Sequence, residues 1–350
     1  MHAQSQQSSA TPAPTNHRSP VRTPLINRLR LASKAARSGL RRYPRHLWES
    51  FRPQILDAIT HPASPLEHFN RSPISAMWIG HATVLIGIEI EGGRRVHILT
   101  DPVLSDRIGV TIGQRTFGLR RLTNPAITEA GLPPIDVILL SHAHFDHLDR
   151  PTLRRLAAGP ARHATVVTAA RTSSLVPAGF RRVVEVPWSH SLDLGHIRLD
   201  ALRPAHWGAR TALDRNRGFN SYVIQSGPRR VLFAGDTAAT DAFDRVGHVD
   251  LSIFGVGAYE PWEHAHATPE QVWHMFRHLR GNDGKLLPMH HSTFDLGEER
   301  PGEPLARLEA AAGSAWASVV CRRIGECFNC GDAAAQTQTI ESTDSLPHIA

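Results

Sequence analysis

The chain has 350 residues, of which 41% are hydrophobic, and a formal charge of +7. That length and apolar content support one large domain or two ordinary ones, and no run of eighteen apolar residues is present to form a membrane-spanning helix. Residues 1–55 hold ten arginines and lysines against Glu49, a balance of +9 that leaves about −2 for the remainder, so no nucleic-acid partner is expected for the body of the protein.

Residues 1–24 are rich in Ser, Gln and Pro without apolar periodicity, the composition of a disordered tail. They lack the apolar stretch of a secretory signal, which points to the cytoplasm. Residues 25–73 form a basic arm predicted to be partly helical. Leu25, Leu29, Ala32, Ala36 and Leu40 recur at helical spacing, with Arg30, Lys34, Arg37 and Arg41 on another face. Over residues 25–45 such a helix could lie on the anionic inner face of a membrane, or pack on its own domain with its arginines solvated.

From residue 74 the texture changes to short β-rich runs separated by turns, among them AMWIGHATVLIGIEI, VHILTDP, IDVILLSH, ATVVTAA, RVVEVPW, IRLDALRPAHW, SYVIQ, RRVLFAGDT and DLSIFGVGAY. Helices are interleaved. TPEQVWHMFRHLR offers Thr268 as N-cap, Pro269 at the first helical position and Gln271 for a capping box, and EPLARLEAAAG is stopped by Gly313. Residues 74–328 are therefore expected to form an α/β domain of stacked sheets covered by helices. Residues 329–350 read as a loose polar tail. Cys321, Cys327 and Cys330 are too few and too local for a disulfide framework and are read as reduced thiols.

The densest chemistry is SHAHFDHLD, residues 141–149, directly behind the apolar run IDVILL. At a strand end, alternation sends His142 and His144 to the same side; Asp146 and His147 follow at the expected start of a helix. Imidazole and carboxylate suit zinc or iron, with manganese also open, and two ions about 3.5–4 Å apart can share one loop. Four groups cannot complete two coordination shells. His206, Asp236 and His290 each stand just past another apolar run, IRLDALRPA, RRVLFAG and KLLPM, so converging strand ends would supply the rest. Packed this closely, such groups are costly to desolvate without a cation.

HAHFDH with those later residues resembles the signature of the metallo-β-lactamase superfamily. Within it, WIGHATVLI (78–86), LTDPVLSDR (99–107), LPPIDVILLSHAHFDHLD (132–149), PAHW (204–207), FAGDT (233–237), GAYEP (257–261), HATPEQV (266–272) and MHHSTF (289–294) are similar to the N-acyl-phosphatidylethanolamine-hydrolysing phospholipase D family, and more distantly to ascorbate-6-phosphate lactonases. The resemblance implies an αββα sandwich and two zinc ions. One would be held by His142, His144 and His206, the other by Asp146, His147 and His290, with Asp236 bridging and His290 preferred over its neighbour His291. It also implies that Asp101 orients a ligand imidazole, that His81 lies near the site, and that His266 sits beside the scissile group. Tyr259 and Trp262 are read as lining the substrate mouth, and His291 as pocket lining.

The implied chemistry is attack by an ionised water positioned by Asp236 and Asp146, with His266 aiding the leaving oxygen. The implied activity is a phosphodiesterase that cuts a phospholipid between phosphate and head group, in a homodimer. Two alternatives stay open: a lactonase or ester hydrolase for a soluble metabolite, and a non-catalytic metal-bearing protein that docks to membrane or nucleic acid.

Overall fold

The computed structural model describes residues 65–211, 214, 216–279 and 283–330. The tail of residues 1–24 and the basic helical face expected over 25–45 lie outside the described residues, as does nearly all of the C-terminal tail. Among the described residues no helix is long and apolar enough to cross a membrane.

Among the described residues, fifteen strands and three α-helices follow one another. The strands are β1 (Ile74–Gly80), β2 (Thr83–Glu89), β3 (Arg95–Thr100), β4 (Arg107–Ile112), β5 (Arg115–Arg120), β6 (Val137–Leu140), β7 (Thr165–Thr168), β8 (Arg182–Glu185), β9 (Ser191–Asp193), β10 (Arg198–Leu202), β11 (Ser221–Ser226), β12 (Arg229–Phe233), β13 (Leu251–Gly255), β14 (Lys285–Met289) and β15 (Cys327–Cys330). The helices are α1 (Arg150–Ala158), α2 (Pro269–His278) and α3 (Glu303–Ala312). One sheet has seven strands in the order β15-β1-β2-β3-β6-β7-β8; the other has six in the order β14-β13-β12-β11-β10-β9. β4 and β5 pair only with each other.

The near-continuous apolar runs are explained by burial on both faces of each sheet. In β1, Ile74, Ala76 and Trp78 point into the core shared by the two sheets, whereas Met77 and Ile79 join a second cluster with Leu153 and Leu156 of α1. In the other sheet Tyr222, Ile224, Val231, Phe233 and Ile253 face the shared core; Val223, Leu232 and Phe254 face outward onto Val272, Met275 and Phe276 of α2 and Leu308 of α3. The period of two thus assigns each residue to one of three apolar layers, giving the αββα sandwich.

Strand direction then fixes where function can sit. β1 and β3 are both antiparallel to β2, and β3, β6 and β7 are mutually parallel. In the other sheet β12, β13 and β14 are parallel, and β10 shares their direction because β11 is antiparallel to both β10 and β12. The carboxyl ends of β1, β3 and β6, and those of β10, β12 and β14, therefore lie along one edge of their sheets. Two hydrogen bonds tie those edges together: Asn220 N–H donates to the Ser141 carbonyl at 2.8 Å, and the Tyr222 hydroxyl to the Leu140 carbonyl at 3.1 Å.

The expected capping box of α2 is present, with Thr268 and Gln271 reciprocally bonded, and α3 ends at Gly313. Three expectations need correction. The helix expected at Asp146 and His147 starts only at Arg150, because Asp149 caps Thr152 N–H and Pro151 favours the first turn; the preceding residues form a tight turn on the His144 carbonyl. At the domain's end, Asn329 and Cys330 are paired with β1 rather than loose. At its start, Phe69 is buried in the core and the His68 carbonyl accepts from Asn329, so the end of the basic arm belongs to the sandwich. The β4–β5 hairpin escaped sequence reading because its facing glycines, Gly109 and Gly118, interrupt the alternation.

Candidate metal centre

All seven residues expected to bind metal converge on the shared edge. His142 and His144 follow β6, and the turn after them delivers Asp146 and His147; His206 follows β10, Asp236 follows β12 and His290 follows β14. Asp236 can come close only because Gly235 precedes it: at φ +60° a Cβ there would meet the Ser141 Cβ at 2.9 Å.

Among the described residues, four overlapping groups of possible ligand atoms form, each within a 4.8 Å span: the first is His142, His144, His206 and Asp236, the second His81, Asp146, His147 and His290, and two smaller ones are Asp101, His142 and His147, and Asp236, His266 and His290. In the first, His142 Nε2 lies 2.7 Å from His144 Nδ1, and His206 Nε2 lies 3.4 Å from the same atom. In the second, His290 Nε2 lies 3.2 Å from His147 Nε2 and 3.3 Å from Asp146 Oδ2. Asp236 joins them. Its Oδ2 is 3.8 Å from His142, 3.7 Å from His206 and 3.0 Å from His147, and its Oδ1 is 3.4 Å from His290.

The outward nitrogens explain why the inward ones carry lone pairs. His147 Nδ1 donates to Asp101 Oδ2 at 2.6 Å. The Ser141 hydroxyl donates to the same carboxylate at 2.5 Å and accepts from His142 Nδ1 at 2.8 Å. His206 Nδ1 donates to the Ala265 carbonyl at 2.9 Å. For His142 and His206 the bond selects the tautomer that leaves Nε2 facing the cluster without a proton; His147, flanked by three carboxylates, carries a second proton on Nε2 that a bound cation would displace. His81, at the β1–β2 turn, donates Nε2–H to Asp146 Oδ2 at 3.0 Å. Strain accompanies the arrangement: His81, Asp101 and His290 have φ of 53°, 31° and 65°, in the left-handed region that non-glycine residues rarely occupy.

Burial, aided by His206, drives the His144 imidazole down to about 3, and burial with neighbouring imidazoles holds His142 well below its ordinary value. Burial opposes ionisation of Asp146 and Asp236 too, yet the charge of His147 beside them keeps both carboxyls well below the usual range. His147 itself is disfavoured as a cation by burial, but Asp236, Asp146 and Asp101 raise it well above 6.5. The carboxylates thus hold positive charge at the centre of a dry cluster. Asp236 Oδ1 is buried there without a hydrogen-bond partner, and a donor set of imidazoles and carboxylates fits a borderline divalent metal.

His266 joins Asp236 and His290 in one of the smaller groups; its Nδ1 lies 3.9 Å from Asp236 Oδ2, with its ring 5.2 Å from His206 and 5.3 Å from His290. Trp262 is half-buried at the turn where its carbonyl accepts from the Ala265 and His266 amides. Two expectations fail. Tyr259 does not line a substrate mouth: it is buried, with its hydroxyl donating to Glu303 of α3 at 2.8 Å, because the strand end turns it under the helix. His291 is not pocket lining either; its ring packs 4.5 Å from Trp78 of the inter-sheet core. Ser141, Trp207 and Arg210 were missed. Ser141 was legible as the residue before the histidine motif, but nothing in the spacing marked Trp207, whose ring meets His144 edge-on at 4.3 Å, or Arg210.

The family described as the beta-lactamase superfamily domain matches residues 94–291. An uncharacterised protein of Mycobacterium tuberculosis is 32% identical over 260 residues, covering 69% of this chain and 64% of its own length; the chain thus spans less than two thirds of that relative. The N-acyl-phosphatidylethanolamine-hydrolyzing phospholipase D 1 of Caenorhabditis elegans is 27% identical over 264 residues, covering 70% of this chain and 71% of the relative. Among solved structures, a metallo hydrolase of the archaeon Ignicoccus hospitalis superposes with a TM-score of 0.51 at 19% identity, over 73% of this chain and 97% of that one, a likeness of fold.

Proposed function

The chain belongs to the beta-lactamase superfamily, and from that premise we propose that it is a binuclear zinc hydrolase acting as a phosphodiesterase on phospholipid head groups. The observation that carries the reading is Asp236, whose Oδ2 faces His142 and His206 of the first group and whose Oδ1 faces His290 of the second. His142, His144 and His206 would hold one ion, and Asp146, His147 and His290 the other. Bound there, two divalent cations would bring the pKa of a water toward neutrality and polarise the oxygen at the scissile bond.

The chain's own residues supply the rest. Asp101 and Ser141 fix the tautomers of His147 and His142, so lone pairs point inward before any substrate arrives. Asp236 and Asp146 accept hydrogen bonds that orient an attacking water. His266, held neutral by burial, offers an N–H to the leaving oxygen at the rim. The phospholipid reading is supported by similarity to the nematode phospholipase D; the basic residues 25–45 would add a peripheral membrane contact.

The test is turnover of mixed vesicles by the zinc-loaded full chain, with phosphatidic acid and an amine-bearing alcohol as expected products. Deleting residues 1–55 should weaken vesicle binding and spare cleavage of bis(p-nitrophenyl) phosphate. Hydrolysis of soluble lactones or esters without head-group release would replace this substrate class with the lactonase alternative. Loss of all turnover in a protein that keeps its metal would favour the non-catalytic one.

A further inference from the structure

The ring nitrogens that face away from the cluster are not held alike. Those of His142, His147 and His206 bond to Ser141, Asp101 and the Ala265 carbonyl. His144 Nε2 and His290 Nδ1 are buried without a protein partner. For His290 other restraints are visible: its amide donates to the His81 carbonyl at 3.0 Å, and its ring stacks on His147 at 5.1 Å and 20°. The His144 backbone is held only within its own loop, its carbonyl accepting from the His147 and Leu148 amides. An imidazole with no outward hydrogen bond rotates unless packing stops it, and a misdirected lone pair contributes little to a metal.

Besides His142, whose ring meets that of His144 edge-on at 4.3 Å, the packing comes from one short segment. His206, Trp207 and Arg210 lie within five residues. The Trp207 ring meets His144 edge-on, at 4.3 Å between centroids and 66° between planes. Arg210 Nη1 donates to the Ala143 carbonyl at 2.9 Å and the Leu148 carbonyl at 2.8 Å, and the guanidinium lies 4.0 Å over the Phe145 ring. One side chain therefore ties together the two ends of the loop that carries His144, Asp146 and His147, and clamps its middle. The segment runs with its backbone against that of residue 218, where a Cβ on Gly208 would come within 2.4 Å of the Gly218 carbonyl.

We propose that Trp207 and Arg210 are positioning residues that aim His144 at the first ligand group in place of the missing hydrogen bond. His206 belongs to the same segment, so two ligands of one metal are set by one strap, whereas in the second group His147 and Asp146 also have Asp101 and His81 as direct partners. The inference rests on reading the cluster as a metal centre, and it predicts that disturbing the strap loosens the ion of the first group more than the other.

The experiment is equilibrium dialysis of chelator-stripped, full-length protein against Zn2+, with the unfolding midpoint of the metal-free protein measured in parallel. The wild type should bind two equivalents. Arg210→Met should weaken one of the two by about 10- to 100-fold, the effect of losing a ligand's supporting partner, and the other less, because the loop it clamps also carries Asp146 and His147. On a His144→Ala background Arg210→Met should lose this larger effect, since the ligand it aims is gone. Arg210→Lys keeps the charge without the planar fork and should also lose affinity; it carries the same measurement should Arg210→Met fail to fold. The inference is overturned if zinc affinity is unchanged while only the unfolding midpoint falls, if both ions weaken equally, or if the larger loss persists without His144. A wild type that binds no zinc overturns the metal reading and this inference with it.

Discussion

The two sheets supply the candidate centre in different ways. The seven-stranded sheet delivers His142, His144, Asp146 and His147 from one turn after β6, backed by the Asp101 side chain at the end of β3. The six-stranded sheet delivers His206, Asp236 and His290 singly, each from its own strand end, and backs His206 with a main-chain carbonyl. A clustered loop concentrates the chemistry locally but needs side-chain partners to aim it. Scattered ligands are aimed by the strands themselves, so their geometry is insured by the fold.

The sharpest way to break that contrast is Asp236→Ala. Asp236 serves both groups, so its loss should release both ions and remove turnover by well over about 10²-fold, the upper end of what loss of a mere supporting partner does; metal analysis and bis(p-nitrophenyl) phosphate assays would read it. Retention of two equivalents of zinc would contradict the bridging geometry. A smaller effect is expected for Asp101→Asn, which disturbs the loop side alone, through His147 directly and through His142 by way of Ser141: about 10- to 100-fold weaker metal binding by dialysis, with His206, Asp236 and His290 left in place.

The smallest effect concerns the imidazole that the core took instead of the pocket. Burial, reinforced by His290, pushes His291 down to about 3, so it is neutral in the folded protein while the unfolded chain protonates near pH 6.5. Its folded value is the lower one. The unfolded state therefore binds the extra proton, and stability contributed by His291 is full above about pH 6.5 and declines as pH falls toward 3. His291→Phe should flatten that decline in the metal-free protein, seen as a shallower loss of urea midpoint between pH 6.5 and 4; an identical slope would show that His291 is not held neutral.

Legibility followed the same division. The loop was readable because its ligands fall within six residues and its apolar strand precedes it, and the scattered ligands because each follows an apolar run. What they bind to in common was not in any local pattern. Tyr259 and His291 illustrate the limit: both stand beside motif residues, and both turn into packing, under α3 and against Trp78 respectively.

By itself the sequence determined the local elements: the strands through two-fold alternation, α2 through its capping box, and the ligand types through their spacing. These depend on interactions reaching a few residues along the chain. The tertiary structure alone decided that β1, β3 and β6 end on the same edge as β10, β12 and β14, that Asn329 and Cys330 complete a sheet with β1, and that Arg210 reaches back to the carbonyls of Ala143 and Leu148. Those outcomes come from packing two sheets face to face over one core, which sums contacts between residues far apart in sequence and leaves no periodic trace of any single one.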